Sequence, residues 1–205
     1  MSSAQFDYVI VGGGCAGCVL ANRLSESGEH KVCLLEAGPN DKSPMISIPG
    51  AFAWFMFSRK YNWMFDSEPK SDIRKGKPVF CPQGKALGGG SAINAMIYIR
   101  GDRHDYDHWA SLGNSGWGYD DLLPYIKKNE CNERGGDALH GDSGPLYVSD
   151  CRNYYPINER FLQAASEAGH PSTRDFNGPR QEGVGFYQFT IKNGKRCSAS
   201  HAYLH

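Results

Sequence analysis

Three glycines in the spacing Gly12-x-Gly14-x-x-Gly17 stand directly behind an apolar, β-branched run, Phe6-Asp7-Tyr8-Val9-Ile10-Val11. This arrangement narrows the possible folds more than any other feature of the chain. A short run of that kind reads as a buried strand. Behind the glycines, Ala16, Val19, Leu20 and Leu24 recur at helical spacing, and Ser27-Gly28 offers a stop. Lys31 to Leu35 then reads as a second strand, closed by Glu36. Strand, glycine turn, helix and strand within 36 residues predict a parallel βαβ unit. Each glycine answers a separate physical need. Gly12 permits the tight turn, Gly14 lets backbone approach a pyrophosphate, and Gly17 lets helix and sheet touch. The free N–H groups at the helix start, with the positive end of the helix dipole, suit phosphate. Glu36 suits the hydroxyls of an adenosine ribose and repels a 2′-phosphate. The unit alone leaves NAD and FAD both open.

A second glycine cluster, Gly88-Gly89-Gly90-Ser91, precedes the apolar segment Ala92 to Ile99. It adds another backbone surface without side chains, suited to a further part of an extended ligand. Glycine makes up 25 of the 205 residues, above the usual share. The charge balance, 22 basic against 22 acidic residues, argues against nucleic acid as a partner. The longest apolar stretch, Met45 to Phe57, is broken by Pro49 and Gly50 and is too short to span a bilayer. It reads as a buried loop, with an interfacial or lid segment as the alternative.

Residues 38 to 83 carry no strong period and are rich in proline and aromatic residues, as in a segment that serves or covers a site. Within it the aromatic residues from Phe52 to Trp63 either shape the entry to a ligand or pack as a satellite core. Further on, Asp120-Asp121 and Lys127-Lys128 bracket a short helix that Pro124 should kink or delimit. Asn158 to Ala168 reads as a helix capped by Asn158, with Phe161, Leu162, Ala165 and Ala168 on its buried face. Val184 to Ile191 reads as an exposed edge strand.

The segment Gly84-Lys85-Ala86-Leu87-Gly88-Gly89-Gly90-Ser91-Ala92-Ile93-Asn94, continued through Tyr98, Gly101 and Asp107, resembles a signature of the glucose–methanol–choline flavoprotein oxidoreductases. So do the opening strand with its glycines, Leu-Leu-Glu-Ala-Gly at 34 to 38, Tyr61-Asn62-Trp63, Ser115-Gly116-Trp117, His140-Gly141, Gly144-Pro145-Leu146, and Arg196 to Leu204. The likeness spans the chain and leans toward choline-dehydrogenase-like alcohol dehydrogenases. It implies an α/β fold, with a Rossmann-like FAD-binding domain over 1–150 and the start of a smaller α+β substrate domain over 151–205. It also implies FAD as cofactor and an alcohol as hydride donor to flavin N5. Carried over by residue, Gly12, Gly14, Cys15, Ala16, Gly17 and Glu36 would hold the ADP half. Gly88, Gly89, Gly90, Ser91, Asn94, Ala95, Met96 and Ile97 would line the pyrophosphate, ribityl and flavin side. Some family members attach FAD covalently through a His at the position of Ile93, so a non-covalent cofactor is expected here. The family's catalytic His, with its second His or Asn, lies in a C-terminal half, so no catalytic residue is assigned and the reading frame is expected to continue past His205. A nucleotide-binding remnant without catalysis and an NAD-dependent dehydrogenase are the competing readings.

Other constellations carry less. His104 and His108 stand four apart among carboxylates, yet lack the Glu of a His-Glu-x-x-His motif, so no metal is expected. His30, His140 and His170 adjoin turns and read as structural or solvated. Seven cysteines without a secretory leader favour a reducing, cytoplasmic setting, peripheral membrane contact remaining open. The Cys15-x-x-Cys18 pair lies inside the glycine fingerprint. Cys15 should face a ligand there, and Cys18 should pack as a small hydrophobe. Oligomeric state and the particular alcohol are not legible.

Overall fold

The structure is a computed structural model that describes residues 4–70 and 74–205. The opening residues 1–3, and residues 71–73 of the proline-rich stretch, lie outside the described residues. The chain divides into two compact units: residues 1–96 with 193–205, and residues 97–192. The boundary expected after residue 150 therefore falls inside the second unit, and the last residues return to the first.

In the first unit β1 (Tyr8–Val11) pairs in parallel with β2 (Val32–Leu35), register Tyr8 to Val32 through Val11 to Leu35. Between them runs α1 (Cys15–Ser25), with Gly14 as its N-cap. Gly28 turns the chain back with a positive φ of 74°. The predicted βαβ unit is present, but its burial differs from expectation. Val11 is 84% exposed, and Val9 and Leu35 are also open. Parallel strands are normally covered on both faces, whereas here these side chains stay open to solvent. The inward stripe of α1 also differs: Gly17, Cys18 and Ala21 are buried, while Ala16 and Leu20 are exposed. The helix turns its small residues inward because the C-terminal helix, Ala199–Tyr203, packs directly on it, with Cys18, Ala199 and Tyr203 forming a buried cluster. The Asn22 side-chain amide donates to the Tyr203 carbonyl at 2.8 Å and pins the pair.

The proline-rich stretch folds into short pieces, α2 (Pro44–Ser47), α3 (Phe52–Phe55) and an antiparallel pair, β3 (Phe65–Asp66) with β4 (Phe80–Cys81). Met45 to Phe57 is therefore divided between core and surface. Ile46, Ala51 and Phe55 join Tyr61, Ala86, Ala92 and Ile93 in one apolar cluster, whereas Ile48, Trp54 and Phe57 face outward.

The second unit is a four-stranded sheet in the order β5 (Ile97–Tyr98), β8 (Gln188–Phe189), β7 (Leu146–Asp150), β6 (Glu130–Asn132). Only β6 and β7 are parallel. The strand expected between Val184 and Ile191 is therefore two residues long here and lies inside the sheet rather than at its edge. Helix α4 (Arg103–Ser111) begins at Asp102, whose carboxylate caps the His104 N–H while Asp105 receives the Asp102 N–H. Helix α5 (Tyr119–Asn129) runs through Pro124 instead of stopping there. Helix α6 (Pro156–Glu167) begins two residues before Asn158, which serves not as the cap but as the acceptor of the Tyr155 N–H at 3.1 Å. Its expected buried face is only partly covered: Leu162 and Ala165 are half-buried, whereas Phe161 is 68% exposed and Ala168 is open.

A polar core replaces an apolar one behind β6. Glu130 is fully buried and accepts from Arg100 at 2.6 Å, from Asn132 at 3.0 Å and from the Gly141 N–H at 3.0 Å. His140 lies between two carboxylates, 2.8 Å from Asp175 and 3.1 Å from Glu130. Hydrogen bonds to Asp175, then to Glu130, hold its imidazolium charged and push its pKa up to about 9, against the opposing effect of burial. His140 is thus structural, as the sequence suggested, and charged as well. A pKa raised on folding stabilises fully below the unfolded value of 6.5 and is lost as pH rises through about 9. Denaturant midpoints are expected to fall over that window by about 2–3 kcal/mol of stability. In His140→Gln the same window should be flat.

Candidate functional site

The two glycine segments meet. The Gly88 N–H donates to the Gly13 carbonyl at 2.7 Å, and a Cβ on Gly89 would stand 2.7 Å from the Gly14 Cα. Gly12, with φ 99°, takes the turn that only glycine adopts freely, and its N–H donates to the Leu35 carbonyl at 2.8 Å. Gly17 brings α1 onto the turn so closely that a Cβ there would overlap the Gly12 carbonyl oxygen. Gly14 and Gly90 differ from these: a Cβ on either would meet open space. The two open glycines leave bare backbone beside the first turn of α1.

That first turn is chemically receptive. The Cys18 N–H is the first to bond within the helix, to the Gly14 carbonyl at 2.9 Å, and no side chain caps the helix. The N–H groups of Cys15, Ala16 and Gly17 are therefore the orphan donors of a helix start, at the positive end of its dipole. Cys15 and Ala16 are exposed, as a ligand-facing position requires. Cys18 is fully buried, and burial pushes its thiol pKa up to about 11, which fits an inert packing residue. Glu36 does more than the sequence indicated. One carboxylate oxygen accepts the Gly13 N–H at 2.8 Å and the other the Gly38 N–H at 2.7 Å, so it ties the turn to the chain after β2. Each oxygen retains a lone pair for a further donor.

The second cradle is held from behind. Gly89 to Ala92 form a 3₁₀ turn, and the Ser91 hydroxyl donates to the Gly88 carbonyl at 2.6 Å while accepting the Ala199 N–H at 2.9 Å. Ser200, fully buried, fills the space against Gly88. Asn94 follows at the surface, then half-buried Ala95 and buried Met96, whose φ of 62° is unusual for a residue with a side chain. Ile97 belongs to the second unit, where it pairs with Phe189. Hydrogen bonds thus join Glu36 and Gly88 to the turn at Gly13, and the residues from Gly12 to Met96 belong to one unit.

Sequence reasoning did not single out Arg196. It is 4% exposed, and its guanidinium binds the Ile46, Ser91 and Asn94 carbonyls and the Asn94 side chain. Arg196 opens a segment noted for its resemblance, and a basic residue framed by Cys, Ser and Ala was the available signal. His104 and His108 sit on α4, with the His104 ring exposed beside Asp102. No cluster of potential metal ligands occurs among the described residues.

A parallel βαβ unit with a glycine turn at a bare helix start is the architecture of dinucleotide-binding α/β proteins. Comparison with known proteins narrows it: residues 6–205 match the GMC oxidoreductase family, and the chain belongs to that family. An oxygen-dependent choline dehydrogenase from Vibrio vulnificus (strain YJ016) is 48% identical over 204 residues, covering 98% of this chain and 36% of the relative. An alcohol dehydrogenase [acceptor] from Pseudomonas putida is 47% identical, with the same coverage of both chains. An FAD-dependent oxidoreductase from Chaetomium thermophilum superimposes with a TM-score of 0.86 at 33% identity, over 97% of this chain and 36% of that one. The chain therefore spans a little over a third of the length of these relatives. No helix among the described residues is long and apolar enough to cross a membrane.

Proposed function

We propose that these residues form the FAD-binding part of a flavoprotein that oxidises the CH–OH group of a small alcohol, choline or another primary alcohol. Bound FAD supplies the acceptor for the hydride that the alcohol carbon loses. The observation that carries the reading is the Gly88 N–H bond to Gly13, which joins two bare backbone surfaces beside one helix start. The orphan N–H groups of Cys15, Ala16 and Gly17 would receive the pyrophosphate. Glu36, with both oxygens oriented by backbone N–H groups, would accept the ribose hydroxyls. Gly88, Gly89, Gly90 and Ser91, followed by Asn94, Ala95 and Met96, would line the remaining length of the cofactor. Ile93, buried in the apolar cluster, offers no nucleophile for a covalent link, so the cofactor is held non-covalently. The base that takes the hydroxyl proton is assigned to none of these residues. Seven thiols and a balanced charge agree with a cytoplasmic setting.

The test is the visible spectrum of the purified whole protein. Two flavin bands are expected, and acid precipitation should leave the colour in the supernatant. A colourless protein that binds NAD would favour the nicotinamide reading instead. A flavin that turns over no alcohol would leave only nucleotide binding. Glu36→Ala is expected to weaken FAD binding by ~1.5–3 kcal/mol, the value of hydrogen bonds to a charged group. Calorimetric titration of the apoprotein measures it.

A further inference from the structure

Arg196 is a buried cation without an acid. Its Nε donates to the Ile46 carbonyl at 2.9 Å. Its Nη1 reaches the Ser91 carbonyl at 3.1 Å, the Asn94 carbonyl at 2.7 Å and the Asn94 side-chain oxygen at 2.8 Å. Nη2 is buried and has no hydrogen-bond partner. No carboxylate pairs with Arg196 among the described residues, and burial pushes its pKa down to about 10. An arrangement that costly needs a return in structure or function.

The return lies in the Asn94 amide. Its oxygen accepts two N–H donors, from Arg196 and from Met96 at 3.1 Å. An amide oxygen has two lone pairs, and both are used. The amide therefore cannot rotate by half a turn without setting its NH₂ against two donors. Its NH₂ is left for the exposed side of the segment. The same oxygen secures Met96 in its left-handed conformation, a strained state that persists only when its surroundings over-determine it.

We propose that Arg196 is a positioning residue that locks the Asn94 amide with its oxygen inward and its NH₂ outward, so that Asn94 meets the bound cofactor as a hydrogen-bond donor. The proposal rests on the flavin reading above, and the acceptor is an oxygen or nitrogen of the isoalloxazine. A donor at that place favours the more electron-rich, reduced ring, so its loss should make the flavin harder to reduce.

The experiment uses the whole protein with FAD and compares wild type, Arg196→Met, Arg196→Lys and Asn94→Asp by bound-flavin spectrum and dye-equilibrated midpoint potential. Arg196→Met is expected to keep FAD but shift the spectrum and lower the reduction equilibrium at least tenfold, about 30 mV for a two-electron couple. Arg196→Lys, which restores one donor to Asn94, should recover part of the shift. A merely structural role would lower the melting temperature and leave the potential alone. Asn94 is exposed, so Asn94→Asp should fold even if Arg196→Met does not, and by replacing the outward donor with an acceptor it should lower the potential in the same direction. An unchanged potential in Arg196→Met, or in Asn94→Asp, overturns the proposal. A wild-type protein that purifies colourless and takes up no added FAD overturns the flavin reading first, and this inference with it.

Discussion

Gly14→Val is expected to empty the protein of flavin while leaving it folded. Gly14 has φ −74° and ψ −167°, an extended conformation open to any residue, and a Cβ there meets nothing within 4 Å. A valine should therefore be accommodated by the protein itself. The space it fills is the approach to the orphan N–H groups of α1. Displacing a pyrophosphate from that backbone should cost on the order of a hundredfold in affinity or more, about 2.7 kcal/mol. Flavin content and the thermal midpoint, measured on the same whole-protein preparation, separate the two effects. Wild-type flavin content in a folded variant would refute the assignment of this groove.

Gly17→Ala should produce the opposite result. Its Cβ would overlap the Gly12 carbonyl oxygen and stand 3.4 Å from Leu34. The obstacle is backbone, which cannot rotate aside as a side chain would. Helix α1 would have to lift from β1 and β2, and with it the contacts of Cys18 to the C-terminal helix. Overpacking of this kind costs about 3 kcal/mol, or more where backbone must move. A fall in the denaturant midpoint with unchanged slope measures it, and loss of flavin should follow from loss of fold. A variant as stable as wild type would mean that the close crossing at Gly17 does not bear on stability.

These opposite expectations for two glycines three residues apart mark how far the sequence was legible. The spacing of Gly12, Gly14 and Gly17 was enough to place strand, turn and helix, because each position answers to a local steric rule. The meeting of Gly13 with Gly88 was legible only as a suspicion raised by a second glycine cluster, since nothing local encodes a contact between residues 75 apart. Burial failed in a consistent way. Val9 and Val11 are apolar and alternate poorly, so they read as interior, yet the structure leaves both exposed. The stripe of α1 failed for a related reason. Periodicity weighs Leu20 above Gly17 and Ala21, but the close approach of the C-terminal helix favours the small residues. Asn158 was read as the cap, but the helix starts two residues earlier, at Pro156, so Asn158 sits inside its first turn and accepts the Tyr155 N–H. Arg196 was missed because a lone arginine has no pattern. Its partners lie 102 to 150 residues earlier in the chain.

The return of residues 193–205 to the first unit sets an order of events at the ribosome. Residues 97–192 form a unit from contiguous chain, whereas the first unit is interrupted by them. At 5–20 residues per second, roughly 5–20 s of synthesis separates Met96 from Asn193. Throughout that interval the nascent glycine groove lacks both its arginine brace and the helix that seats Cys18. A chaperone that shields apolar surface would find the Cys18 face of α1 uncovered until the Ala199–Tyr203 helix emerges to pack on it.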